Sequence, residues 1–159
     1  MTRATLAACL LLFLLPANAQ GETLAERWHR KVRAFEHENS RLGAEKDIVL
    51  FGSSSTEGRR FAGRVRKYLP TIGHRTLNRG ISGDGIGFGR RGLAKRLDAS
   101  VLSARPKFVV IANGRNSIGL RDGVARTTAT YERVVRQIQA GLPDVTVVIV
   151  SCAPVRGRY

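Results

Sequence analysis

The sequence predicts a doubly wound α/β fold, a parallel sheet with helices on both faces. Three observations carry that expectation. Short runs of apolar and β-branched residues recur along the chain, as strands buried on both faces require. Stretches of helical hydrophobic period separate them. Each run ends in a turn rich in glycine, serine or asparagine.

The first 19 residues stand outside that pattern. Arg3, an apolar run from Leu6 to Leu15 and then Pro16-Ala17-Asn18-Ala19 have the charged, apolar and small-residue regions of a secretory leader, with cleavage expected after Ala19. The run is too short to span a bilayer. The mature protein is therefore expected to be secreted or periplasmic. Cleavage leaves 26 basic residues against 12 acidic ones, a net +14, and removes Cys9, so Cys152 has no internal disulfide partner.

Residues 20–45 read as an N-terminal amphipathic helix. Leu24, Trp28, Val32, Phe35 and Leu42 fall near helical spacing opposite charged residues, and Gly43 closes the helix. His29 and His37 lie on it eight residues apart, too far for an i, i+4 metal pair. Asp47-Ile48-Val49-Leu50-Phe51 is the first strand, running into Gly52-Ser53-Ser54-Ser55-Thr56-Glu57-Gly58. Phe61, Val65 and Leu69 mark a short helix stopped before Pro70. Arg75-Thr76-Leu77-Asn78 is the second strand, followed by a glycine-dense loop from Arg79 to Gly89. Leu93, Leu97 and Leu102 trace the next helix. Lys107 to Ala112 is the third strand, leading into the loop Asn113-Gly114-Arg115-Asn116-Ser117. Val124, Tyr131, Val135, Ile138 and Leu142 trace a helix ended by Gly141 and Pro143, and Val145 to Cys152 is the fourth strand.

Two phosphate-binding patterns fail on spacing and context. G-x-x-x-x-G-K-[ST] needs four residues between its glycines and a lysine after them, whereas five separate Gly52 from Gly58 and Arg59 follows. Gly87-Phe88-Gly89-Arg90-Arg91-Gly92 fits G-x-G-x-x-G but follows the second strand, with no acid about 20 residues on to hold a ribose. No cofactor and no metal site is expected. The basic residues are spread over three helices (Arg27, Arg30, Lys31, Arg33; Arg59, Arg60, Arg64, Arg66, Lys67; Arg90, Arg91, Lys95, Arg96) and read as solvated faces. Nucleic acid fits poorly, because no RNP, zinc-finger or helix-turn-helix signature accompanies the charge.

Three loops at the carboxyl edge of the sheet each carry a residue that acyl transfer can use. Ser54 follows the first strand, Gly83 the second and Asn116 the third. A serine attacking an ester carbonyl creates an oxyanion, for which backbone N–H groups and an asparagine amide are suitable donors. The same letters have a purely structural reading. Ser54-Ser55-Thr56-Glu57 fits the S-x-x-E capping box, and Gly83 and Asn116 are ordinary turn residues.

Gly52-Ser53-Ser54-Ser55-Thr56-Glu57-Gly58, Asn78-Arg79-Gly80-Ile81-Ser82-Gly83-Asp84 and Gly114-Arg115-Asn116-Ser117 resemble, in order, three motifs of the GDSL or SGNH hydrolases. These are esterases and lipases with a flavodoxin-like three-layer α/β/α fold. The resemblance covers roughly residues 46–159. It implies Ser54 as nucleophile, with Gly83 and Asn116 in the oxyanion hole. Ser53 stands where the family usually has Asp, as in its Gly-Ser-Ser-Ser branch, and Ser117 replaces the Asp after the asparagine. The family's last motif, Asp-x-x-His, supplies the general base after a fifth strand. It is nowhere in these residues, and His29, His37 and His74 lie at non-matching positions.

Residues 46–159 are thus expected to form an incomplete SGNH hydrolase domain with the last strand and helix missing, which need on the order of 30 further residues. The expected function is that of an exported serine esterase acting on a small-molecule or glycan ester, inactive or nearly so as this chain. The alternative is a catalytically silent module whose glycine-rich cleft and basic faces hold an anionic glycan or envelope surface.

Overall fold

The structure, a computed structural model, describes residues 21–42, 47–71, 75–87, 91–119 and 122–150. The leader, His74 and Cys152 lie outside the described residues.

Helix α1 (Leu24–Arg41) opens on a capping box. Thr23 Oγ1 accepts from the Glu26 N–H at 3.2 Å, and the Glu26 carboxylate accepts from the Thr23 N–H at 2.9 Å. Trp28 and Phe35 are buried, while Leu24 and Leu42 at the two ends of the expected stripe are exposed. Trp28 and Phe35 pack with Ile81, just past the second strand, which fastens α1 to the sheet. Burying a side chain of that size contributes about 1.5–3 kcal/mol.

Strand β1 (Ile48–Gly52) is buried throughout and is followed by a four-residue helix α2 (Ser54–Glu57) and by α3 (Arg59–Tyr68). Strand β2 (Thr76–Gly80) runs two residues further than its apolar letters, through Arg79 and Gly80. Strand β3 (Phe108–Ala112) precedes α4 (Arg115–Gly119), α5 (Gly123–Gly141) and β4 (Thr146–Ile149). All pairs are parallel, in the order β2-β1-β3-β4. Gly52 stands opposite both Gly80 and Ala112, so the three strands end level and their following turns emerge side by side.

Alternation along β1 divides the core. Val49 and Phe51 face the larger cluster, with Ile86, Leu93, Leu97, Val101, Val109, Ile111, Val134 and Ile138, while Ile48 and Leu50 meet Ala62 of α3 on the other face. Phe108 and Val110 on that second face are only half-buried, so β3 is less evenly covered than its unbroken apolar run implies. Residues 93–102 bury Leu93, Leu97 and Val101 at helical spacing, but the backbone departs from an α-helix. It is a tight 3₁₀ turn at Leu93–Arg96 and a widened π turn at Asp98–Leu102.

Candidate active site

The turn after β1 is held by backbone lying directly on backbone. A Cβ on Gly52 would stand 2.4 Å from the Ala112 carbonyl oxygen and 2.0 Å from Thr56 Oγ1, and one on Gly80 would stand 2.1 Å from the Glu57 nitrogen. Only glycine lets α2 sit down on the ends of β1 and β2. Asn78 then caps the short helix from below. Its amide donates to the Thr56 carbonyl at 2.7 Å and the Glu57 carbonyl at 3.3 Å, while its own oxygen accepts the Gly80 N–H at 3.0 Å.

This scaffold presents Ser54 to solvent as the first residue of α2. The capping-box reading of Ser54 to Glu57 is not realised. Ser53 occupies the cap position without a side-chain bond, and the Glu57 carboxylate points elsewhere. It accepts from Arg27 at 2.7 Å and from the Ser82 N–H at 2.8 Å, and also meets Lys31 and the Ser82 hydroxyl. Burial alone would raise this carboxyl, but the bonds from Lys31, Ser82 and Arg27 outweigh it and hold the pKa at about 2. Glu57 therefore ties α1 and the loop after β2 to the serine turn as a charged group.

Gly83 follows Ser82 at φ +83°, a backbone conformation that glycine takes without strain, and it is exposed. Among the described residues neither the Ser54 N–H nor the Gly83 N–H donates to another group. Asn116 is the second residue of α4, so the expected loop 113–117 is in part a helical turn. Its amide donates to the Asp84 carbonyl at 2.9 Å, and Asn113 donates to the same oxygen at 3.1 Å. An amide carries two hydrogens, so this bond leaves one for a further acceptor. Ser117, standing where the motif has Asp, is fully buried and accepts the Ile86 N–H at 2.7 Å. It locks the second loop to the third.

Arg96 is a correction to the charge reading, which placed it on a solvated face. Its side chain has 0% exposure. The guanidinium donates to Asp84 and to the Arg79 carbonyl at 2.8 Å each, to Ser100 Oγ at 3.0 Å and to the Gly52 carbonyl at 2.9 Å. It also lies over the Phe51 ring, 4.9 Å from the centroid. Burial pushes the Asp84 carboxyl up and the Arg96 guanidinium down, each opposed by the charge of the other. Trp28 Nε1 donates to the same Asp84 oxygen at 3.4 Å. This pair fixes the ends of β1 and β2 and the loop carrying Gly83, a role that charge counting could not reveal. The available signal was spacing: Arg96 falls three residues after Leu93, on the face that Leu93, Leu97 and Val101 bury.

A groove of about 570 Å³ opens beside the third loop, between α5 and the end of β4, lined by Asn113, Ile118, Tyr131, Val135, Ile149 and Val150 among others.

The model of the GDSL-like Lipase/Acylhydrolase family matches residues 50–159. In fold the chain is similar to a protein from Streptococcus pneumonia described provisionally as a platelet activating factor. The TM-score is 0.69 at 19% identity, over 99% of this chain and 64% of that one. A GDSL-like lipase from Bacteroides thetaiotaomicron is similar at TM-score 0.53 and 20% identity, over 74% of this chain and 56% of that one. A Bacteroides fragilis protein described provisionally as an acylhydrolase gives TM-score 0.52 and 20% identity, over 74% and 55%. The chain thus spans less than two thirds of the length of each. No curated protein matches it in sequence.

Proposed function

The chain belongs to the GDSL-like lipase/acylhydrolase family, and from that premise we propose that it is a serine ester hydrolase with Ser54 as nucleophile and Gly83 and Asn116 as oxyanion donors. The observation that carries this reading is the level ending of β2, β1 and β3, with the three following turns bonded to one another through Ser82–Glu57 and Asn116–Asp84. Ser54 Oγ attacks the acyl carbonyl, and the oxyanion is received by the unpartnered Ser54 and Gly83 N–H groups and the second Asn116 amide hydrogen. The alcohol departs, and water releases the acyl group from Ser54. The leader pattern of residues 1–19 supports export as part of the same proposal.

The proton of Ser54 needs an acceptor. These 159 residues contain no Asp-x-x-His, and neither described histidine bonds to Ser54. Serine hydrolases deprived of a triad member retain about 10³–10⁴-fold catalysis over water, from the oxyanion hole and binding. Turnover of p-nitrophenyl acetate by this polypeptide is accordingly expected to be slow, and added imidazole is expected to raise it by serving as the base. Asn116→Ala should lower the rescued rate by about 10²–10³-fold. Equal rates for the wild type and Ser54→Ala, with and without imidazole, would remove Ser54 from the mechanism. The other reading, a silent module for an anionic glycan or envelope surface, predicts salt-sensitive binding that survives Ser54→Ala.

A further inference from the structure

The +15 charge is not distributed as uniform solvated faces. On α1, Arg27 and Lys31 meet Glu57 and Arg30 meets Glu22. Arg75 and Lys107 meet Asp47, and Arg136 faces Glu132 on α5. Arg33 and Arg41 of α1 and Arg126 and Arg133 of α5 are also exposed without an ion-pair partner among the described residues, but helix α3 gathers such cations most densely and has no acid within it. Arg59, Arg60, Arg64, Arg66 and Lys67 are all exposed, none has an ion-pair partner among the described residues, and no acid occurs from Gly58 to Thr71.

At 100° per residue these five cations cover an arc of about 160° centred near Gly63, opposite the side on which Ala62 and Val65 meet the sheet. Arg60 and Arg64 are four apart, a like-charge pairing that works against the isolated helix. Among the described residues no acid supplies a counter-charge for this face. Where α3 ends, Tyr68 is 70% and Leu69 45% exposed, and the Lys67 ammonium stands 5.4 Å from the centroid of the Tyr68 ring. An exposed aromatic and an aliphatic side chain beside clustered cations suit a lipid interface, where rings sit at headgroup level and cations meet anionic lipid. A base or a sugar ring could stack on Tyr68, but the aliphatic Leu69 beside it, 45% exposed, is matched by lipid and not by nucleic acid or glycan. No described helix is long and apolar enough to cross a bilayer.

We propose that the exposed face of α3 docks onto an anionic lipid surface, with its five cations on the headgroups and Tyr68 and Leu69 at the interface. The proposal deepens the envelope-contact expectation by assigning it a surface. It rests on charge and exposure, independently of the Ser54 chemistry, and the two can fail separately.

The test is co-sedimentation of the full chain with vesicles of phosphatidylcholine alone or containing phosphatidylglycerol. Binding is expected only to the anionic vesicles and is expected to weaken with salt. The triple variant Arg60→Gln, Arg64→Gln, Lys67→Gln should bind on the order of a hundredfold more weakly at low salt. Removing the same charge from α5 with Arg126→Gln, Arg133→Gln, Arg136→Gln should leave most of the binding. A reporter that keeps every cation, Tyr68→Trp, should shift its emission to the blue with anionic vesicles and not with neutral ones. Binding that persists in the α3 triple variant, as an apolar leader alone would give, overturns the proposal. So does an unshifted Tyr68→Trp emission, or tighter binding to duplex DNA than to the anionic vesicles.

Discussion

Glu57 and Ser54 are three residues apart in one short turn, and the contrast between them decides what that turn does. Ser54 is exposed, with its N–H unpartnered among the described residues, whereas Glu57 gathers Arg27, Lys31 and Ser82. A carboxyl held at about 2, against an ordinary 4.5, contributes stability that is complete above the unfolded value and is lost as pH falls through 2. Glu57→Gln is therefore expected to lower stability at pH 7 by up to about 3 kcal/mol. Its deficit against the wild type should shrink between pH 4.5 and 2, as followed by thermal unfolding across that range. A deficit that stays constant down to pH 2 would assign the effect to packing and not to charge. At this scale the placement of Ser54, Gly83 and Asn116 in turns at one edge of the sheet was legible, because each follows a strand by a few residues. The residues that hold them were not. A sequence states that Glu57 and Arg96 are charged, but only the packed structure states that one holds Arg27, Lys31 and Ser82 and the other is buried beneath the site.

The elements themselves were legible wherever hydrophobic period alone decides them. The apolar runs became β1, β3 and β4, and the period-3.6 stretches became α1, α3 and α5. Legibility stopped where tertiary bonds reshape the backbone. Asn113-Gly114 reads as a loop, yet Arg115–Gly119 winds into a helical turn, with Ser117 bonded to Ile86 and the Ile118 N–H to the Gly114 carbonyl at 2.9 Å. Gly80 reads as part of the glycine-dense loop from Arg79 to Gly89 and is instead the last residue of β2, needed for close approach and not for an unusual φ. Two glycine substitutions separate these meanings. Gly80→Ala places a methyl against the Glu57 and Thr56 backbone and should cost about 1–3 kcal/mol. Gly63→Ala, mid-helix in α3 with nothing within 4 Å of the new Cβ, should stabilise by about 1 kcal/mol. Denaturant midpoints of the two variants check the pair, and equal shifts of one sign would refute the assigned roles.

The strand order β2-β1-β3-β4 places the serine strand between the strands that lead to Gly83 and Asn116, which is the arrangement the doubly wound pattern predicts. The same order leaves β4 with β3 as its one neighbour among the described residues, and its exposure is uneven with its composition. Val145 to Cys152 read as the fourth strand, and of its apolar residues Val148 is 44%, Ile149 53% and Val150 41% exposed. Beside them runs the apolar groove floored by Tyr131 and Val135 of α5. A sequence can mark a strand as apolar, but whether its outer edge is paired depends on what lies next to it in space. An open Val/Ile-rich edge offers unpaired backbone groups to another copy. The 159-residue polypeptide is therefore expected to self-associate as its concentration rises, with light scattering growing faster than linearly. Ile149→Lys, which sets a charge on that edge, should suppress the association while shifting the unfolding midpoint little, since the side chain is already half exposed. Thermal scans and scattering on the same samples separate the two effects. Wild-type protein that stays monomeric at high concentration would mean that this edge is not open in solution.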